Sequence, residues 1–82
     1  MLELFAASFG KAVRAARQRA QLTPEQVAQA LGLPPLAYSR LERGLLLPSI
    51  ERLVRLSQLL GTPTDVLLGN VLPESSQPPF TP

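Results

Sequence analysis

Apolar residues recur along the first quarter of the chain at three- and four-residue steps: Leu2, Phe5, Phe9, Val13, Ala16 and Ala20. That spacing draws one stripe down a helix, so an amphipathic helix is expected over residues 2–20. A second, shorter stripe of Val27, Ala28 and Leu31 follows a start signal, Thr23-Pro24 with Gln26 three residues past the cap. Gly32 is the natural stop, because glycine takes the left-handed conformation that ends a helix. A third helix starts at Pro35 and runs through Tyr38 and Leu41 to Arg43, with Gly44 ending it. After Leu45-Leu46-Leu47-Pro48, Ser49 caps a helix over 49–60. Its Ile50, Leu53, Val54, Leu56, Leu59 and Leu60 make a broad apolar face, and Gly61 closes it. Thr62 as cap, Pro63 in the first turn and Asp65 near the positive end mark a short fifth helix, closed by Gly69. Residues 70–82 are rich in Pro and Ser and carry no period. The expectation is an all-α domain over 1–69 and an extended or disordered tail over 70–82.

Composition narrows the chemistry more than it names it. Eighty-two residues give one domain near the lower limit for an unstapled core. The chain has no Cys and no His, which removes disulfides, thiolate chemistry, zinc-finger ligands and the commonest general base. Its carboxylates (Glu3, Glu25, Glu42, Glu51, Asp65 and Glu74) are scattered, with no spacing that suggests shared acid–base work and no glycine-rich phosphate loop. No enzyme, metal or cofactor is therefore expected. No apolar run is long enough for a membrane span and no leader pattern opens the chain, so a cytoplasmic protein is the default. The net charge of +2 is compatible with nucleic acid without pointing to it. Lys11, Arg14, Arg17 and Arg19 crowd the second half of the first helix, where cations oppose the negative end of its dipole. A solvated face is the preferred reading for Lys11; for Arg14 and Arg19, contact with DNA phosphates stays open beside it.

Two short helices joined by a few residues containing Gly, as over residues 23–44, form the helix-turn-helix pattern. From Phe9 to Leu68 the chain resembles the phage-repressor/Cro-like, or XRE, helix-turn-helix family. The resemblance rests on Phe9-Gly10, Val13, Arg17, Thr23-x-Glu25, Val27-Ala28 and Leu31-Gly32-Leu33 in the first half. Ser39-Arg40-Leu41-Glu42-Arg43-Gly44, Pro48-Ser49, Leu53, Leu60-Gly61 and Leu67-Leu68 complete it. It implies a compact five-helix, lambda-repressor-like bundle with residues 35–43 as recognition helix. It also implies an ion pair between Arg17 and Glu42 that ties the first helix to the recognition helix. Tyr38 holds a place that is usually apolar and inward, its hydroxyl expected at the edge.

Base-reading positions carried over from the family fall on Pro34, Pro35, Leu36, Ser39 and Arg40. The prolines, Leu36 and Ala37 have no side-chain donor or acceptor, so only contact with a thymine methyl is open to Leu36 or Ala37. Arg40, helped by Ser39, is the strong base reader, and Arg43 and Gln26 are phosphate contacts. The loop after the recognition helix, usually polar in the family, is here Leu45-Leu46-Leu47. One of these leucines can fold onto the core; the others would form an apolar patch. Two functions follow. The first is a homodimeric, sequence-specific regulator of transcription on double-stranded DNA, with dimer contacts from Leu46, Leu47, Val66 and Leu72. The alternative is the same fold reused to bind a protein partner through the Leu/Pro-rich surface at 34–36 and 45–47.

Overall fold

A computed structural model describes residues 2–69 and shows five helices in chain order. They are α1 (Leu2–Arg19), α2 (Pro24–Leu31), α3 (Pro35–Glu42), α4 (Ile50–Leu60) and α5 (Thr64–Gly69). The expected tail at 70–82, and Leu72 within it, lie outside the described residues.

Each helix is bounded by the chemistry of its ends. At the start of α2 the Gln26 amide N–H donates to Thr23 Oγ1 at 3.1 Å, and the Thr23 N–H donates to Gln26 Oε1 at 2.8 Å. This reciprocal capping box satisfies two donors that no intrahelical acceptor reaches. Ser49 accepts from Arg52 N–H and so caps α4 from outside; the helix proper begins at Ile50. Thr62 does not cap α5. It is buried, and its hydroxyl donates back to the Leu60 carbonyl at 3.3 Å. The Pro63 carbonyl instead receives the first amides, from Val66 and Leu67, so α5 begins at Thr64.

The C-terminal ends share one device. Leu22 N–H bonds to Arg17 O, Leu33 to Ala28, Leu45 to Arg40 and Thr62 to Ser57, each reaching back five residues past a left-handed one. At three of these ends the left-handed residue is Gly32, Gly44 or Gly61. At the end of α1 it is Gln21, with φ of 60°. A side chain there carries a steric cost that glycine lacks. Gln21→Gly should therefore stabilise the domain by roughly 0.5–1 kcal/mol, offset in part by the looser unfolded chain. A denaturation midpoint that falls in this variant would refute the reading.

The core is one cluster drawn from all five helices: Phe9, Val13, Ala16, Val27, Ala28, Leu31, Tyr38, Leu41, Leu56, Leu60 and Leu67. Helix α1 touches both α3 and α5, while α2 bridges α3 and α4, and α4 meets α5. Because α1 is packed on two sides, Ala6 and Ala12 are buried along with Phe9, Val13 and Ala16 of the expected stripe, while Phe5 and Ala20 are half-buried. Helix α4 behaves in the opposite way. Only Leu56 and Leu60 of its apolar face are buried, whereas Ile50 is 80% exposed, with Val54 and Leu59 also open. It packs on α2 and α5 at the edge of the bundle, and two short neighbours cannot cover so wide an arc.

Candidate nucleic-acid interface

Helices α2 and α3 are joined by Gly32, Leu33 and Pro34, with Gly32 at φ of 69° turning the chain. Nothing lies within 4 Å of a Cβ built on Gly32, so the requirement there is conformational rather than spatial. Pro34 presents an extended backbone at the start of α3 and offers no side-chain cap; Pro35 supplies the first helical residue.

The period of α3 then divides its residues between two faces. Tyr38, Leu41 and Glu42 point inward and are buried. Pro34, Pro35, Leu36, Arg40 and Arg43 are exposed, and Ala37 and Ser39 are half-buried between them. Leu36 and Arg40 stand one turn apart on the outer side. Among the described residues, no carboxylate pairs with Arg40 or Arg43. Gln26 is exposed at the start of α2. Its carbonyl oxygen is engaged in the capping box, which leaves its NH2 group facing solvent as a donor.

The inner face is organised by a carboxylate. Glu42 accepts from Arg17 Nε at 2.6 Å and from Arg17 Nη2 at 3.3 Å, the two-pronged geometry that guanidinium and carboxylate favour. Arg17 Nη1 also donates to the Leu22 carbonyl at 2.9 Å, so the same guanidinium ties down the turn after α1. The Tyr38 hydroxyl donates to Glu42 Oε2, and Arg14 Nε lies 3.6 Å from Glu42 Oε1. Tyr38 is fully buried, ring and hydroxyl together, which corrects the expectation of a hydroxyl at the edge. A phenol can go inside because Glu42 satisfies it. The signal was available in the four-residue spacing of Tyr38 and Glu42, which puts both on one side of a helix. Arg14, left open between solvent and phosphate, rests against Glu42 while staying half exposed.

Burial on its own would raise the Glu42 carboxyl. Hydrogen bonds from Arg17 and Tyr38, with the charges of Arg17 and Arg14, outweigh it and hold the group below its ordinary value of 4.5. Burial and the same hydrogen bond push the Tyr38 phenol well above its ordinary 10.0. The cluster is thus a charged guanidinium, a charged carboxylate and a neutral phenol, with every buried side-chain donor and acceptor among the described residues satisfied. It ties α1 and the turn after it to the end of α3.

The leucine loop splits as its chemistry requires. Leu47 folds onto the core, Leu45 is 65% exposed and Leu46 is 38% exposed. Leu47 and Pro48 wall an open apolar pocket of about 230 Å³, lined also by Phe5, Phe9, Leu53 and Leu68. Leu47 is therefore largely spoken for within the monomer, while Leu46 and Val66 remain on the surface. Among the described residues no helix is long and apolar enough to cross a membrane, and no cluster of acidic residues could hold a metal.

A short α2, a glycine turn and an α3 that packs Tyr38 and Leu41 inward while Arg40 and Arg43 face outward have the layout of a helix-turn-helix DNA-binding domain. The chain belongs to the family HTH_3, helix-turn-helix, whose profile matches residues 13–67. It is similar in structure to the clp gene regulator ClgR from C. glutamicum, at a TM-score of 0.73 and 28% identity. That likeness covers 87% of this chain and 88% of the other. It is also similar to the restriction-modification controller protein C.AhdI from Aeromonas hydrophila, at a TM-score of 0.69 and 26% identity. Here 76% of this chain and 94% of the other are covered. No curated protein sequence matches the chain. The family is one of DNA-binding proteins and not of enzymes.

Proposed function

We propose that this chain regulates transcription by binding a specific duplex sequence as a homodimer. The observation that carries the reading is Arg40: exposed on the outer face of α3, free of any carboxylate among the described residues, and flanked by Arg43. Helix α3 enters the major groove, where Arg40 donates its two-pronged guanidinium to a guanine, aided by the half-buried Ser39. Arg43 and the NH2 group of Gln26 hold phosphates on either side and fix the register. Two copies place two such helices about 34 Å apart, in successive major grooves, and occlude or recruit the polymerase. The regulatory and controller roles printed for ClgR and C.AhdI support this reading. A DNA target agrees with a cytoplasmic location.

Leu46 and Val66, with Leu47 behind them, are the proposed dimer surface. The exposure of Leu36, Leu45, Leu46 and Ile50 favours a second reading, in which this apolar surface binds a protein partner and DNA binding is weak or lost.

Fluorescence anisotropy on a randomised duplex pool at two salt concentrations, with the mass in solution measured alongside, separates the two. The regulator reading expects a dimer whose affinity falls steeply with salt. Arg40→Ala should then cost about 1–3 kcal/mol on the preferred site and flatten sequence preference. Arg43→Ala should weaken binding to all duplexes alike and lower the salt slope by about one unit per half-site. Wild-type binding by both variants would show that α3 is not the reading helix. No binding at low salt would leave the protein-partner reading in possession.

A further inference from the structure

We propose that the first turn of α3 reads the C5-methyl groups of pyrimidines in the major groove, with Leu36 as the contacting side chain. The proposal rests on the DNA-binding reading above and specifies what that site recognises.

The argument starts from what the outer face lacks. Pro34, Pro35 and Leu36 are all exposed, Leu36 by 60%, and with the half-buried Ala37 they form a run without a single side-chain donor or acceptor. This run opens the helix that later exposes Arg40, with the exposed Arg43 just past its end. An exposed leucine on a small domain usually needs no explanation. Here it occupies the end of α3 that approaches base edges most closely in this docking geometry.

A base edge that loses water to leucine without gaining a partner is destabilised, because its buried polar atoms go unsatisfied. The only apolar group that a base presents in the major groove is a methyl on C5 of a pyrimidine. Thymine carries it, and so does 5-methylcytosine, whereas cytosine and uracil do not. Leu36 therefore selects for the methyl by contact and against its absence by desolvation, two effects of the same sign.

Arg40 adds a second position. It lies four residues on, on the same side of α3, a rise of about 6 Å along the helix. The guanine read by Arg40 therefore lies further along the groove, in the same half-site as the methyl read by Leu36. Each half-site then pairs an apolar reading with a charged one.

Deoxyuridine deletes the thymine methyl and leaves the Watson–Crick edge intact, which gives a direct test. On the site selected from the pool, each thymine is replaced in turn by deoxyuridine and binding is followed by anisotropy with the full chain. At one or two positions per half-site affinity should fall about fourfold per methyl removed. Leu36→Ala should bind the thymine and deoxyuridine duplexes equally. That variant keeps its fold, since Leu36 is exposed and alanine suits a helix. At the sensitive position, cytosine and 5-methylcytosine duplexes are then compared. Tighter binding of the methylated duplex extends the reading to methylcytosine; equality confines it to thymine. If neither deoxyuridine nor 5-methylcytosine changes affinity, the methyl reading falls while DNA binding stands. It falls also if Leu36→Ala keeps the wild-type sensitivity. Failure to bind any duplex at low salt overturns this proposal together with the function it rests on.

Discussion

Replacing Glu42 by alanine should cost about 3–5 kcal/mol, the effect of stranding one partner of a buried ion pair. Arg17 and Glu42 expose only 12% and 8% of their side chains, so little solvent screening reduces the loss. The Tyr38 hydroxyl loses its acceptor at the same time and stays buried. For a domain of this size such a loss is most of the stability that folding provides. Urea denaturation followed by circular dichroism reads it directly; a midpoint within error of wild type would dismiss the cluster as structural. Replacing both ends with apolar residues, Arg17→Met with Glu42→Leu, should recover much of the loss, because no charge is then left unpaired.

The same carboxylate sets an acid limit. Its value in the fold is held below 4.5, so its contribution is fully present above the unfolded value. The contribution is lost as pH falls through the folded value. Wild-type stability should therefore drop more steeply below about pH 4 than that of Glu42→Gln, which has no proton to take up. Tyr38 acts with the opposite sign. Its raised value means that its share is present below about pH 10 and is lost as pH rises beyond that.

Gly10→Val should be the second severe change. A Cβ on Gly10 would stand 2.5 Å from the carbonyl oxygen of Glu42 and 2.7 Å from that of Leu41. Both are backbone atoms of the last turn of α3, so relief requires moving one helix away from the other. Overpacking of this kind costs roughly 1–3 kcal/mol even for a small group, and valine adds two further carbons. Alanine would gain about 1 kcal/mol in helix propensity and still lose on balance. The joint is double, because Gly44 stands as near to α1: a Cβ there would lie 2.7 Å from the Ala7 Cα. Gly44 is also left-handed, with φ of 79°. Since α1 fixes the tilt of α3, Gly10→Val should weaken any DNA binding together with stability. Equal denaturation midpoints for Gly10→Val and wild type would overturn the close approach.

The sequence by itself determined the local structure. Five helices were legible because their stop and start signals are chemical and local: Thr23 with Gln26, Ser49, and glycines at 32, 44 and 61. Where a local signal had two uses the sequence could not choose, as with Thr62, whose hydroxyl turns back to Leu60 instead of capping α5. The left-handed Gln21 is hidden for a related reason, since nothing in glutamine announces that conformation.

Tertiary structure decided what each side chain faces. The apolar arc of α4 reads as core, yet among the described residues no helix packs over Ile50, which is exposed. Three consecutive leucines are chemically alike, and only the path of the loop sends Leu47 inward and leaves Leu45 out. Gly10, in the middle of α1, is the place where another backbone comes within contact distance. Arg14 joins Glu42 because α1 crosses the end of α3 at that level. Periodicity is a property of one segment and survives in the sequence. Contact between segments depends on how helices cross, which the spacing of residues within any one of them does not record.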